Sequence, residues 1–185
     1  MPGPTDPAEF RRAMARWPTG VSVVTTHAGG EDAGLTVNAF LSISLHPPLL
    51  LVSLTRDATS TPLLDRSGRF AVNLLAADQQ ALSERFAQAV PSEEKFRGVP
   101  VRRGLGEVPL LDGALVHLEC RVRSAEDVED HRLFIGAVER VGPVRDAPPL
   151  LFYRSHYGTP AANGTVRLTT GPDPAPPDSN PRPRS

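Results

Sequence analysis

The sequence predicts a mainly β protein, a small antiparallel barrel with a few accessory helices. Short β-type runs outnumber helical segments, and clusters of Gly, Pro and Asp separate them. The regular alternation of strand and helix that builds a doubly wound parallel sheet does not occur. The length of 185 residues favours one domain with its own core.

A first helix is predicted to begin after Asp6, which can cap it, with Pro7 in the first helical position and Glu9 closing a capping box. It ends at Pro18, and its apolar residues recur at helical spacing: Phe10, Ala13, Met14 and Trp17. A second helix is predicted over Ala77–Ala87, and a short capped one begins at Ser60 and stops at Gly68.

Six runs have strand character because they are rich in β-branched and aliphatic residues. They are Val21–Thr26, Leu35–Ser44, Leu49–Leu54, Phe70–Leu75, Ala114–Arg123 and Arg132–Val141. The segment Pro91–Asp112 has no clear period, so we expect an irregular loop over the barrel surface.

We divide the chain into three parts: residues 1–5 as a flexible N-terminus, 6–160 as the folded domain and 161–185 as a Pro-rich disordered tail. Six of the 20 prolines fall in Gly171–Ser185. That stretch has no aromatic or large aliphatic residue, so it cannot offset the entropy of ordering itself.

Charge and composition exclude several classes of protein. The 20 Lys and Arg balance 21 Asp and Glu, which leaves no basic field for nucleic acid or a membrane surface. The five histidines lack metal-ligand spacing, so no metal site is predicted. The single cysteine, Cys120, lies in an apolar run and is expected to be a buried, inert thiol. With no secretion signal and no long apolar stretch, the expected location is the cytoplasm.

Polar residues interrupt the β-rich half of the chain at two places. Thr36-Val37-Asn38-Ala39 could present hydrogen-bonding groups to a flat heterocycle, or could simply face solvent. Ser60 and Thr61 begin the short helix, where unpaired N–H groups and the helix dipole favour an anion. Ser60 could equally be a plain N-cap, and Arg56, just before it, could be a solvated surface charge. These residues predict a β-barrel with a site for a phosphate-bearing ligand.

Taken together, segments from Phe10 to Gly158 resemble the short-chain flavin reductase family, the reductase components of two-component flavin monooxygenases. Each fragment is weak alone, but their order is specific. The fragments are Pro18–Val21, Gly34–Phe40, Ser42–Pro48 leading into Leu49–Arg56, Ser67–Leu74, Glu94–Phe96, Leu111–Ala114 and Asp130-His131.

The resemblance implies a Greek-key split barrel that binds FMN or FAD, usually as a homodimer, with NADH or NADPH as hydride donor. By motif position, the isoalloxazine and ribityl chain would be lined by Thr36, Val37, Asn38 and Ala39. The flavin phosphate would be held by Ser53, Leu54, Thr55, Arg56, Ser60 and Thr61. Further cofactor contacts would come from Asn73 and the Lys95-Phe96 pair, and the nicotinamide would be bound by His131 with Tyr157 close to the same pocket.

The resemblance further implies an NAD(P)H:flavin oxidoreductase that supplies reduced flavin to a partner monooxygenase. Such hydride transfer needs no catalytic acid–base pair, and none is predicted. Two alternatives remain open: a flavoenzyme that retains its flavin and acts directly on an organic substrate, and a non-catalytic flavin-binding protein. One departure stands out, because Glu129 occupies the position where the family's Gly-Asp-His motif has glycine. Its side chain is expected to affect the turn and the binding of the nicotinamide.

Overall fold

The structure is a computed structural model that describes residue 3, residues 5–161 and residues 166–168. Thirteen strands are described: β1 (Thr19–Gly20), β2 (Ser22–Ala28), β3 (Glu31–Val37), β4 (Phe40–Leu45), β5 (Pro48–Thr55), β6 (Arg69–Leu74), β7 (Val101–Arg103), β8 (Pro109–Leu111), β9 (Val116–Val128), β10 (His131–Val141), β11 (Leu151–Tyr153), β12 (His156–Pro160) and β13 (Val166–Leu168). Four α-helices accompany them: α1 (Pro7–Met14), α2 (Ser60–Ser67), α3 (Gln80–Ala87) and α4 (Ser92–Phe96).

The strands form three antiparallel sheets, so the predicted fold class is confirmed. The largest sheet has seven strands in the order β3-β2-β6-β9-β10-β5-β4. A four-stranded sheet has the order β1-β11-β12-β13, and β7 pairs with β8. In the large sheet β2 lies beside β6 and β10 beside β5, so chain segments leave the sheet and return to it, as Greek-key connections do.

The large sheet is strongly curled. Its two edge strands, β3 and β4, are joined only by Asn38 and Ala39. A flat seven-stranded sheet would hold its edges about 29 Å apart. The chain from Val37 to Phe40 can span at most about 11 Å. The two edges therefore meet at residues 38 and 39, and the sheet is a barrel split between β3 and β4.

This split also corrects one prediction, because Leu35–Ser44 is two strands and not one. The chain turns at Asn38, whose carbonyl accepts a hydrogen bond from the Phe40 N–H at 3.0 Å. The Ala39 carbonyl then accepts from the Ser53 N–H, which docks the start of β4 on β5. Both flanks have β-type residues, so hydrophobic pattern alone does not reveal the turn.

Two apolar clusters lie on opposite faces of the sheet. Successive residues of β2 point to opposite faces and so contribute to both clusters. Val24 belongs to the cluster inside the barrel, and Val23 belongs to the cluster under α3. The inner cluster contains Phe70 and Phe134, both fully buried, and each burial stabilises the fold by about 1.5–3 kcal/mol. Cys120 is buried in the same cluster, as predicted, and burial raises the pKa of its thiol to about 12.

The predicted helices form, with differences at their ends. Asp6 caps α1 by accepting a hydrogen bond from the Ala8 N–H, but the helix ends at Met14, before Pro18. Residues 77–79 form a 3-10 turn that leads into α3. Gly68 closes α2 in the left-handed conformation with φ 63°. There the missing Cβ avoids a steric cost that other residues pay.

The segment Pro91–Asp112 is more regular than predicted. It contains α4 and the β7–β8 ribbon, whose strands of three residues are too short to show a period. Arg103 ties the ribbon to β3 through two hydrogen bonds to the Asp32 carboxylate, of 2.6 and 2.9 Å. Within the expected tail, Val166–Leu168 pairs with β12, while residues 169–185 lie outside the described residues. Most of the predicted N-terminus, residues 1, 2 and 4, also lies outside them.

Candidate functional site

A cavity of about 380 Å³ opens at the split of the barrel, and we name it the split cavity. It is bounded by the end of β3, the start of β10, and residues from α3, β5, β11 and β12. Eight of the residues predicted to bind a cofactor or nicotinamide line it: Thr36, Val37, Asn38, Ala39, Ser53, Thr55, His131 and Tyr157. The remaining lining residues are Leu35, Ala87 and Phe152.

The end of β3 is fixed by hydrogen bonds where it lines the cavity. Thr36 Oγ1 donates to the Ser83 carbonyl of α3 at 2.6 Å, and the Val37 carbonyl accepts from Ser22 Oγ at 2.9 Å. Asn38 and Ala39, which follow, are exposed. A rigidly held strand end therefore presents a short run of backbone and one amide side chain to the cavity.

The two residues predicted to bind nicotinamide, His131 and Tyr157, also line the split cavity. His131 begins β10 and is the register partner of Thr55 on β5. Its Nδ1 lies 2.7 Å from Asp130 Oδ1, and this hydrogen bond lowers the pKa of the Asp130 carboxyl. When the imidazole is neutral with the proton on Nδ1, Nε2 is the acceptor nitrogen. Asp130 therefore orients the His131 ring at the cavity wall.

Tyr157 links α3 to the four-stranded sheet. Its hydroxyl lies 2.9 Å from Ser83 Oγ, and its ring meets Phe152 edge-on at 5.2 Å between centroids. Ser83 thus contacts Thr36 through its carbonyl and Tyr157 through its hydroxyl. Two walls of the split cavity are held in place by this one buried residue of α3.

A second cavity of about 580 Å³, the middle cavity, adjoins the first and shares Leu35, Thr55 and Ala87 with it. Ser60, the first residue of α2, lines it. The Ser60 residue is only 2 % exposed, and its Oγ has no hydrogen-bond partner among the described residues. The residue before it, Thr59, occupies the N-cap position, so Ser60 is not the N-cap.

An unpartnered buried hydroxyl costs about 1–3 kcal/mol. A bound acceptor would remove that cost, and the N-terminus of a helix favours an anionic one. Thr61 contributes differently from the prediction, because its Oγ1 donates to the Thr55 carbonyl at 2.8 Å and so fixes the loop before α2. Ser60 therefore fits a phosphate group, and Thr61 supports the loop that presents it.

Lys95, which the resemblance pairs with Phe96 as a cofactor contact, lines the same cavity. Its ammonium donates to the Phe86 carbonyl at 3.1 Å and lies 3.4 Å from the Gly34 carbonyl. Burial lowers the pKa of Lys95 because the charged form loses solvation. The only sequence signal for this cation is its place in the Glu94-Lys95-Phe96 fragment.

Five predicted residues line neither cavity: Thr61, described above, and four others. Leu54 is buried inside the barrel, and Asn73 is buried on β6. The Asn73 amide donates to the Val23 carbonyl and to Thr25 Oγ1, and its oxygen accepts from the Leu111 N–H. Those bonds join the large sheet to β8, which is a structural role. Arg56 is exposed and donates to the Glu129 carbonyl, and Phe96 lies against Phe86 beside a third cavity.

Glu129 has φ 51°, in the left-handed region. It is the first of two residues, Glu129 and Asp130, that join β9 to β10. A side chain disfavours this conformation by roughly 1–2 kcal/mol, whereas glycine adopts it freely. The turn geometry therefore gives a physical reason for the glycine of the motif, and this chain keeps the geometry with a glutamate.

No helix of the described part of the chain is long and apolar enough to cross a membrane. Within the same residues, His, Cys, Asp and Glu form no cluster that could hold a metal ion. The described residues do form the split cavity, next to a cavity in which the unpartnered Ser60 hydroxyl suits a phosphate.

Fold and site together define a split-barrel protein for a phosphate-bearing heterocyclic cofactor. Residues 14–161 match the family model described as flavin reductase like domain. The chain therefore belongs to the flavin reductase family.

Individual proteins agree with that assignment. The chain is 43% identical over 160 residues to the flavin reductase (NADH) of Kitasatospora aureofaciens, covering 84% of this chain and 83% of that protein. It is 37% identical over 152 residues to the flavin-dependent monooxygenase reductase subunit HsaB of Rhodococcus jostii, covering 82% and 77%. The NADH:FAD oxidoreductase of Streptomyces globisporus, solved with NAD and FAD fragments, superposes with a TM-score of 0.78 at 33% identity over 85% of this chain and 94% of that one.

Proposed function

We propose that this chain is an NAD(P)H:flavin oxidoreductase that reduces FMN or FAD and supplies the reduced flavin to a partner monooxygenase. One observation carries the proposal: the split cavity brings the predicted flavin segment, Thr36 to Ala39, together with His131 and Tyr157. Hydride transfer requires both ring systems in one cavity, and both groups of residues line this one. The Kitasatospora relative, named an NADH flavin reductase, supports NADH as the donor.

The cavities also fit a flavin. Thr36, Asn38 and the backbone of the β3–β4 link would hold the ring edge, and Ser60 at the start of α2 would receive the phosphate. Bound flavin would supply the redox chemistry, accepting hydride from the reduced nicotinamide. His131, oriented by Asp130, would seat the nicotinamide, and Phe152 with Tyr157 would keep water from that side.

The test is steady-state oxidation of NADH and NADPH, with and without added FMN or FAD, by wild type and His131→Ala. We expect oxidation that depends on added flavin and saturates with it. His131→Ala should raise the KM for the nicotinamide while flavin binding, followed by fluorescence, stays unchanged. Flavin binding without nucleotide oxidation would support a binding protein, and a tightly held flavin that does not exchange would support the enzyme acting on an organic substrate.

We also propose that the protein is a homodimer. An apolar surface is left open by α1 and β4, with Phe10, Met14 and Trp17 between 50 % and 68 % exposed and Leu41, Ile43 and Leu45 between 40 % and 74 %. Three of these six residues, Met14, Trp17 and Leu41, line one cleft of about 610 Å³. β4 is also a sheet edge, and monomers rarely leave a long apolar edge uncovered.

The occupant that fits is a second copy, because a twofold contact pairs an apolar patch with itself. Asn38 and Ala39 line both this cleft and the split cavity, so the partner would lie next to the flavin. Light scattering should give a dimer for wild type and a monomer for Leu45→Glu. Val144→Glu, at a valine about as exposed as Leu45 but outside α1 and β4, should remain dimeric. A monomeric wild type would contradict the proposal.

The partner that receives reduced flavin is expected to be a flavin-dependent monooxygenase, as the name of the Rhodococcus relative indicates for that protein. We place the pair in the cytoplasm, where NADH is available and a lone cysteine stays reduced. Mixing the purified chain with an oxygenase should couple NADH consumption to substrate oxidation.

A further inference from the structure

Lys95 is the only lysine of the chain, and just 4 % of the residue is exposed. A buried lysine usually has a carboxylate partner, because its charged form loses solvation. Here the ammonium donates to two neutral acceptors, the carbonyls of Phe86 and Gly34, and it forms no ion pair among the described residues. Burial lowers the pKa of the amine, so more of it is uncharged than in an exposed lysine. An uncharged, desolvated lysine amine is a nucleophile.

The amine lies at the wall of the middle cavity. Lys95 lines this cavity, and so do Leu35 and Ala87, which directly follow Gly34 and Phe86 in the chain. The two carbonyls that the ammonium contacts therefore belong to the peptide bonds that lead into these two lining residues. The cavity, of about 580 Å³, is large enough for a small molecule.

The same cavity has a position for an anion. The buried Ser60 hydroxyl lacks a partner in the described part of the chain, and it lies at the N-terminus of α2. Asp57 also lines the cavity, but it is exposed, and water screens the repulsion between its carboxylate and an anion. The middle cavity thus combines a nucleophilic amine with a site that suits a phosphate.

We propose that Lys95 is a covalent modification site for phosphate-bearing aldehydes, with the phosphate at Ser60 and the aldehyde carbon bonded to the Lys95 nitrogen. The amine attacks the carbonyl carbon, and a C=N double bond replaces the C=O bond. The carbonyl oxygen leaves as water, which carries both protons of the amine. The step needs no oxidant or reductant, and water reverses it.

The modification has a consequence for the flavin. The bound aldehyde occupies the position proposed above for the flavin phosphate, so phosphorylated aldehydes inhibit the reductase by excluding its flavin. This consequence rests on the proposed function, whereas the imine at Lys95 does not.

The probe is pyridoxal 5′-phosphate, incubated with the full chain and then treated with sodium borohydride, which reduces the imine to a stable secondary amine. Peptide mass spectrometry has only two amines to distinguish, Lys95 and the N-terminus. We expect modification of Lys95 at least about tenfold faster than with pyridoxal, which lacks the phosphate. Added FMN should protect Lys95.

Three variants assign the two groups. Lys95→Arg keeps the positive charge and should give no adduct at this position, because a guanidinium does not form the imine. Ser60→Ala should slow the reaction of pyridoxal 5′-phosphate by about tenfold and leave that of pyridoxal unchanged. The matched control is Ser67→Ala, at the other end of α2 and outside the cavity, which should react like wild type. Circular dichroism confirms that each variant is folded, and Ser60→Ala carries the test if Lys95→Arg is not.

Modification of the N-terminus alone, or of Lys95 only after unfolding in guanidinium, would overturn the inference. Equal rates with pyridoxal and its phosphate would overturn it too, because the phosphate would then have no site. Rapid modification of Lys95 without protection by FMN would support the covalent site and contradict the flavin position at Ser60. Absence of flavin reduction in a chain that still forms the adduct would contradict only the proposed function.

Discussion

At the scale of single residues, buried polar side chains differ in whether their hydrogen bonds are satisfied. Asn73 and Ser83 are buried polar residues whose bonds hold strands and helices together. Ser60 is buried as well, but its hydroxyl is unpartnered among the described residues. A protein stabilises its fold with the first kind and retains the second for a ligand, since an unmet hydrogen bond costs stability until something binds. This contrast supports the proposal that Ser60, rather than Asn73, binds the ligand.

Glu129 leads to a prediction about stability and nucleotide choice. Its left-handed φ means that Glu129→Gly should stabilise the fold by up to about 1 kcal/mol, after the entropy cost of glycine is subtracted. The same change removes a carboxylate two residues from His131, which should favour the 2′-phosphate of NADPH. The measurements are the unfolding midpoint and the ratio of kcat/KM for NADPH and NADH.

Glu129→Gln separates the two effects, because it removes the charge and keeps the side chain. It should change the NADPH to NADH ratio without raising the unfolding midpoint. Asp146→Asn makes the same charge change beyond the far end of β10, about 33 Å from the turn along the strand, and should change neither quantity. An unchanged nucleotide ratio in Glu129→Gln would contradict the electrostatic part of the prediction.

At the scale of elements, α3 positions the site by contacting strands from distant parts of the chain. Ser83 bonds to Thr36 and to Tyr157, and Phe86 lies over β3. The contact with β3 needs a glycine, because a Cβ at Gly34 would lie 2.6 Å from the Phe86 ring. Helix and strand therefore approach more closely at this point than a side chain allows.

Gly34→Ala should consequently destabilise the protein by about 1–3 kcal/mol, the usual cost of overpacking. It should also weaken flavin binding, because α3 would move away from Thr36 and Tyr157. Gly20→Ala is the matched control, since a Cβ there meets nothing within 4 Å. Denaturant unfolding and flavin titration of both variants provide the measurement. Equal stability of the two variants would show that α3 and β3 adjust without cost.

Some features of the helices and strands could be predicted from the sequence, and others could not. The caps of α1 and α2 were predictable because Asp6 and Gly68 act through local geometry. The turn at Asn38 was not, because it is fixed by the distant Ser53 N–H bonding to Ala39. The family resemblance predicted that Thr36, His131 and Tyr157 lie at one site. The hydrogen bonds of Asn73 and Lys95 could not be predicted, because they depend on burial that only the fold reveals.

At the scale of the whole molecule, the interior of the barrel is closed to solvent. Cys120 lies in it, and burial raises the pKa of the thiol to about 12, so the reactive thiolate is scarce at neutral pH. Iodoacetamide at pH 8 should leave the native protein unmodified and label Cys120 fully in guanidinium. Mass spectrometry measures the fraction of Cys120 that is alkylated. Fast labelling of the native protein would mean that the barrel opens without global unfolding.

The hydrogen bonds that assemble the split cavity have a consequence for the rate of folding. The residues that meet at the split cavity are far apart in the chain: 47 positions separate Thr36 from Ser83, and 74 separate Ser83 from Tyr157. Contacts of such long sequence separation are the slow ones to form. The ability to bind flavin should therefore appear only at the end of refolding. Flavin added to the refolding buffer should then stabilise the folded barrel, because it binds the folded state and not the unfolded chain.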